Sequence, residues 1–126
     1  SSKTAILTSK APKPLPGIYS QAIVANGFVY CSGAIAMDPS TNKIIDGDLV
    51  AHTVDPLHLP SLINHVVAHT YRKHQCINNL TAVLEEAGTE INKVIKVNVF
   101  LASMDDFAKM NEVYKTYWGE VKPSRT

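Results

Sequence analysis

The dipeptide Asn26-Gly27 constrains this chain more than any other pair of residues. It lies between two apolar-rich runs in SQAIVANGFVYCSG. Asn-Gly tolerates positive φ at both central positions of a two-residue turn, and that turn matches the right-handed twist of an antiparallel strand pair. The segment therefore reads as a type I′ hairpin with strands over 20–25 and 28–32. Upstream, Pro12, Pro14 and Pro16 keep the chain extended and non-helical, and residues 5–8 read as a short edge strand. Downstream, 38–48 (DPSTNKIIDGD) is dense in Asp, Pro, Asn and Gly and reads as loop.

Beyond the loop the hydrophobic period changes. Over 75–87, Ile77, Leu80, Val83, Leu84 and Ala87 fall on one helical face, and Gly88 stands where a left-handed cap belongs. Residues 93–101 (KVIKVNVFL) alternate, with Ile95, Val97, Val99 and Leu101 on one side and Lys96, Asn98 and Phe100 on the other, the pattern of a half-buried strand. Ser103 offers an N-cap with Asp106 three positions on. The helix it opens, 104–118, places Phe107, Met110, Tyr114 and Tyr117 on one stripe. Hairpin, helix, strand, helix is an α+β order, with two helices packed on one face of a sheet. Two features stand apart. The residues KPSRT at 122–126 fall where a strand should return after the second helix. The segment 54–73 (VDPLHLPSLINHVVAHTYRK) carries Pro56 and Pro60, which break a helix running from Asp48 into Gln75, and reads as irregular.

Composition excludes several function classes. A chain of 126 residues, 45% hydrophobic, is one domain with a core of its own, 1–126, rather than two. No apolar run approaches the ~20 residues of a membrane helix. Twelve basic residues, scattered, face eleven acidic ones, so there is no nucleic-acid-binding stripe. Cys31 and Cys76 make no disulfide framework; they read as small core residues in a reducing compartment. The start has no apolar signal region, and its Ser, Thr and Lys also fit the remains of a transit sequence. His65 and His69 stand at i, i+4 with His74 after them, yet no Glu completes H-E-x-x-H and no cysteine pair accompanies them, so exposed histidines are expected and no metal. Phosphate loops and nucleophile elbows are absent.

Three places retain chemical interest. Tyr19, in GIYSQ, either presents its hydroxyl at a sheet edge or caps the core. Ser32-Gly33 ends the hairpin, where backbone N–H groups can meet an oxyanion. Arg125, after a proline at the start of a strand, either holds a carboxylate through two parallel N–H bonds or is a terminal charge in solvent.

Taken in order, the stretches GIYSQAIVANGFVYCSGAIAMDPSTNKIIDGDLVAHT, HQCINNLTAVLEEAG and KVIKVNVFLASMDDFAKMNEVYKTYWGEVKPSRT resemble the RidA/YjgF reactive-intermediate deaminases over nearly the whole chain outside 54–73. The resemblance implies a chorismate-mutase-like α+β fold, a homotrimer with sites in the clefts between subunits, and hydrolysis of small 2-imino or enamine acids, such as 2-aminoacrylate and 2-iminobutanoate, to 2-keto acids and ammonia. No metal or organic cofactor is implied. Tyr19 and Arg125 match the family's catalytic positions, and Ser32, Gly33, Asn111 and Arg125 its substrate-binding positions, with Arg125 on the carboxylate. Ile18 stands where Pro is usual and Ala34 where Gln is common.

The family continues past its arginine with a cysteine and closing strands, one carrying a glutamate that positions water. The residues to 126 do not include them, so impaired activity is expected of the chain as written. Against the family, 54–73 is an insertion of 20 residues. Valine codons begin GT and lysine can be AAG, so a retained intron is the expected origin, with a genuine surface loop as the alternative; a cDNA carrying these codons refutes the first. Relatives occur in cytosol and mitochondria, and both compartments fit. Two other functions stay open: a ribonuclease or translation inhibitor, opposed by the near-neutral charge, and a non-catalytic metabolite-binding trimer.

Overall fold

The computed structural model describes residues 2–44, 61–101 and 104–126, and for 61–73 the backbone only. The hairpin forms where the Asn-Gly turn predicts it. Strands β2 (Ala22–Ala25) and β3 (Phe28–Cys31) pair antiparallel with Ala25 opposite Phe28. Asn26 and Gly27 both take positive φ, 51° and 78°, as a type I′ turn demands. Strand β1 (Thr4–Ile6) adds to the far edge of β2, one residue earlier than the sequence places it. Alternation then sorts the sheet's two faces. Ala22, Val29 and Cys31 turn inward with Ile6 and meet Ala11 and the helix residues Ala82 and Val83. On the other face Phe28 and Tyr30 stay exposed, their rings 6.4 Å apart. Burial in this apolar cluster raises the pKa of the Cys31 thiol, which suppresses the thiolate and its reactivity.

A buried glutamine ties the proline-rich approach to this sheet. Gln21 Oε1 accepts from the Thr8 N–H at 2.7 Å, while its Nε2 donates to the carbonyls of Thr8 at 3.0 Å and Pro12 at 2.9 Å. The next segment is more ordered than a loop reading allows. Strands β4 (Met37–Asp38) and β5 (Lys43–Ile44) form a second, minimal hairpin. The Asp38 carboxylate organises its turn by accepting from the backbone and hydroxyl of Ser40, which hold its pKa down. Residues 45–48 of the expected loop lie outside the described residues.

Helix α1 runs from Ser61 to Glu86, twice the length the apolar period marks out. The reading of 54–73 as irregular is therefore corrected for 61–73. Pro60 immediately precedes the first helical residue, a place where a missing N–H breaks no helical hydrogen bond, so it marks the start of the helix rather than interrupting one. His65 and His69 fall on helical backbone whose side chains are outside the description, as is His58 altogether. Among the described residues no cluster of metal-binding side chains occurs, and no helix is long and apolar enough to cross a membrane. The helix ends as expected: Gly88 has φ 86°, its N–H bonds the Glu85 carbonyl, and the Thr89 N–H reaches back to Leu84, both at 3.0 Å. Val83 and Leu84 are buried, and Asn79, 3% exposed, donates to the carbonyls of Ile35 and Met37, fastening the post-hairpin segment to the helix.

Residues 93–101 pair far less than their alternation predicts. Only Lys96–Val97 forms strand β6, because the partner that reaches it is β7 (Ser124–Arg125), parallel, with Val97 opposite Arg125. The bonds extend one residue further, with the Val99 N–H on the Thr126 carbonyl at 2.8 Å. A 3-10 turn occupies Ile91–Lys93.

The second helix is shorter than 104–118. Met104–Asp106 is a 3-10 turn, and the α-helix α2 covers Phe107–Tyr114; Ser103, the expected cap, lies outside the described residues. The chain then turns, with Trp118 at φ 78° and Gly119 at φ 75°. A Cβ at Gly119 would stand 3.0 Å from that of Asn92, so glycine is required there by space as well as by φ. Lys122 Nζ closes this end by donating to the carbonyls of Lys115, Tyr117 and Gly119 at 2.8–3.0 Å, a cation at a helix C-terminus. Met110, Val113 and Trp118 bury the inner side of α2, which packs on α1. The result is an α+β fold with antiparallel and parallel ladders and two helices.

Candidate functional site

The outer side of α2 builds the chemistry. Phe107, Asn111 and Tyr114 are spaced i, i+4, i+7 and so share one helical face. The turn at 115–119 and the Lys122 cap bring the chain back, Pro123 extends it, and β7 delivers Arg125 beside that face. The guanidinium Nη1 donates to Asn111 Oδ1 at 2.7 Å. Its central carbon lies 4.7 Å from the centroid of the Tyr114 ring and 5.6 Å from that of Phe107, within cation–π range of both. Arg125 is exposed, yet it is no loose terminal charge. Burial raises the pKa of Tyr114 and the nearby Arg125 charge works against that rise, so the phenol stays protonated at neutral pH. The Tyr114 hydroxyl is buried with no hydrogen-bond partner among the described residues.

A second group gathers at the foot of the hairpin. Leu15–Ile18 is a turn closed by the Ile18 N–H on the Leu15 carbonyl at 3.1 Å, with Pro16 preset for it and Gly17 at φ 74° supplying the positive angle of a type II turn. This turn thrusts Tyr19 outward, 48% exposed, which settles its two readings: it does not cap the core. The Ser32 hydroxyl donates to the Ser20 carbonyl at 2.5 Å, and the Ser32 N–H to the Gln21 carbonyl at 3.0 Å. Ser32 therefore has no N–H to offer an oxyanion, which corrects that part of the sequence reading; it keeps the acceptor lone pairs of its hydroxyl. Gly33 is exposed, and its N–H has no hydrogen-bond partner among the described residues.

The structure thus brings together Arg125 and Asn111, and separately Tyr19, Ser32 and Gly33. Among the described residues no hydrogen bond, ion pair or ring contact joins the two groups within one chain. The sequence reading missed Phe107 and Tyr114 as the bed under Arg125. Their spacing with Asn111 was the available signal, but nothing local says that a strand would lay a guanidinium across it. It also missed His74, whose Nδ1 hydrogen-bonds the Tyr117 hydroxyl and joins α1 to the turn after α2.

What this arrangement offers is an exposed cation held in place, with one hydrogen bond given for its guanidinium among the described residues. Comparison with known proteins gives the family. The family profile described as Endoribonuclease L-PSP matches residues 8–61 and 61–126, the two pieces meeting inside the segment that the sequence sets apart. A RutC family protein of Pyrococcus abyssi is 43% identical over 123 residues, covering 98% of this chain and 80% of that one. The 2-iminobutanoate/2-iminopropanoate deaminase of Mus musculus is 34% identical over 120 residues, covering 95% and 73%. Among solved structures, the Rid-family protein YyfA of Yersinia pestis superposes with a TM-score of 0.78 at 30% identity over 98% of this chain and 82% of its own. Similarity of this extent, in sequence and in fold, makes the chain a member of the Endoribonuclease L-PSP family, the group of the Rid, RutC and YjgF proteins.

Proposed function

We propose that this protein hydrolyses small 2-imino acids, and the enamines that tautomerise to them, to 2-keto acids and ammonia. The observation that carries this reading is Arg125, an exposed residue held at one nitrogen by Asn111 and over the ring of Tyr114. The murine relative's name supports the substrate class, since 2-iminobutanoate and 2-iminopropanoate are both carboxylates. In the reaction, water adds to the imine carbon, the nitrogen takes up protons and leaves as ammonia, and a carbonyl remains. Arg125 would hold the carboxylate through two charge-assisted bonds. Tyr19, the Gly33 N–H and the Ser32 oxygen would orient the C=N group. Such imines already hydrolyse in water, so holding substrate and water in register is most of what a catalyst must add.

Among the described residues no contact joins the groups of Tyr19 and Arg125 within one chain, and a homotrimer whose clefts join one copy's clamp to another's hairpin foot would bring them together. The exposed Phe28 and Tyr30 give the sheet an apolar outer face of the kind such assembly covers. The absence of a basic stripe in a chain of net charge +1 disfavours the nuclease reading. Neither cysteine is in a disulfide, in keeping with a reducing cytosol or mitochondrial matrix.

Isothermal calorimetry with 2-oxobutanoate, the product of 2-iminobutanoate hydrolysis, tests the reading independently of turnover. Saturable binding at one site per chain is expected, accompanied by ammonia release from 2-iminobutanoate above its spontaneous hydrolysis. No binding at millimolar product would overturn the proposal, and binding without imine turnover would move the protein to a metabolite-binding role.

A further inference from the structure

Among the described residues, the contacts given for the Arg125 guanidinium are with uncharged groups. Asn111 contributes an amide oxygen at 2.7 Å, and Tyr114 and Phe107 contribute ring faces at 4.7 and 5.6 Å. A carboxylate in place of the amide would bond the arginine more strongly, but it would neutralise the charge and occupy the donors that a ligand needs. An amide oxygen fixes one nitrogen and leaves the charge intact. The guanidinium carbon stands over both ring faces, and a ring face attracts the cation without neutralising it as a carboxylate would. The neighbouring Glu112, the acidic group next in sequence to Asn111, is turned away and pairs with Lys115 at 2.8 Å.

We propose that Asn111 and Tyr114 are positioning residues that set the protein's preference for anionic over neutral ligands, by orienting Arg125 without quenching its charge. This rests on the reading of Arg125 as a carboxylate clamp, and it adds which residues determine the strength and selectivity of that clamp.

The test compares binding of 2-oxobutanoate with that of its uncharged analogue 2-oxobutanamide, by calorimetry, in four variants checked for folding by circular dichroism. Asn111→Asp is expected to weaken 2-oxobutanoate binding about tenfold while leaving the amide within about twofold, because an internal carboxylate competes with the ligand's own. A merely structural role for Asn111 would weaken both ligands alike. Tyr114→Leu removes the ring without touching the amide; it is expected to weaken the anion about fivefold through loss of the cation–π restraint. Tyr114→Phe keeps the ring and removes a hydroxyl that has no partner, so it is expected to restore wild-type selectivity. Arg125→Ala separates the two levels of the argument. If wild-type protein binds the anion and Arg125→Ala does not, yet Asn111→Asp keeps full selectivity, the inference falls and the clamp stands. If Arg125→Ala binds as wild type does, or wild type does not bind, both fall.

Discussion

Replacing Arg125 by alanine is expected to lower kcat/KM for 2-iminobutanoate by about a hundredfold to ten-thousandfold, measured as ammonia released above spontaneous hydrolysis. Two hydrogen bonds between a guanidinium and a carboxylate contribute about 1.5–3 kcal/mol each, and each 1.36 kcal/mol is a factor of ten in rate. The loss should fall on the protein's selectivity for acids rather than on its folding. Arg125 is exposed, its backbone register with Val97 does not depend on the side chain, and the Ser124 and Thr126 amides hold the strand. Lysine in its place should recover little, since an ammonium is a point charge without the planar edge that meets a carboxylate through two parallel N–H bonds. Unchanged turnover in the alanine variant would remove Arg125 from the site and the imine reading with it.

Changing Gln21 to leucine is expected to destabilise the fold by about 3–5 kcal/mol, a large part of the ~5–15 kcal/mol that holds a domain of this size together. One side-chain amide satisfies the N–H of Thr8 and the carbonyls of Thr8 and Pro12, in a place where Gln21 is only 6% exposed. Leucine has similar bulk and fills the space, but it leaves those backbone groups buried without partners, and each such group costs about 1–3 kcal/mol. Urea or thermal unfolding should show the loss. A change below about 1 kcal/mol would mean that the 8–12 segment peels off the sheet and takes its polar groups into water.

These two residues show what was legible in the sequence and what was not. Asn26-Gly27 and Gly88 announce their geometry because a positive φ is a local demand, met by a local residue choice. Gln21 announces nothing, since its partners come from a proline-rich stretch ten residues away whose path depends on the sheet beneath it. Asn79 is silent for the same reason, being defined by two carbonyls more than forty residues upstream. The alternation of 93–101 correctly separates Val97, Val99 and Leu101, which are half-buried, from the exposed Lys96, Asn98 and Phe100. It misplaces Ile95, 69% exposed, and overstates the strand, because alternation reports which face is buried and not how much partner is present. A proline at 60 bars a helix from running through it out of 48, as the sequence says, but leaves open a helix that begins after it, and α1 begins at Ser61. Of the site, Arg125 and Asn111 followed from resemblance, whereas Phe107 and Tyr114 acquired meaning only once β7 had crossed their face.

The pairing of β6 with β7 has a kinetic corollary. A parallel pairing that joins positions 28 apart in the chain is a non-local contact, closed only after the elements between have formed. The guanidinium is carried by β7, so under the proposed role of Arg125 an acid would be held only with the ladder closed, and its apparent affinity would be diluted by any open fraction. Ligand and strand are thereby linked: occupancy of the clamp should slow deuterium uptake at the Ser124 and Thr126 amides, and whatever splints that edge should tighten the grip on the acid.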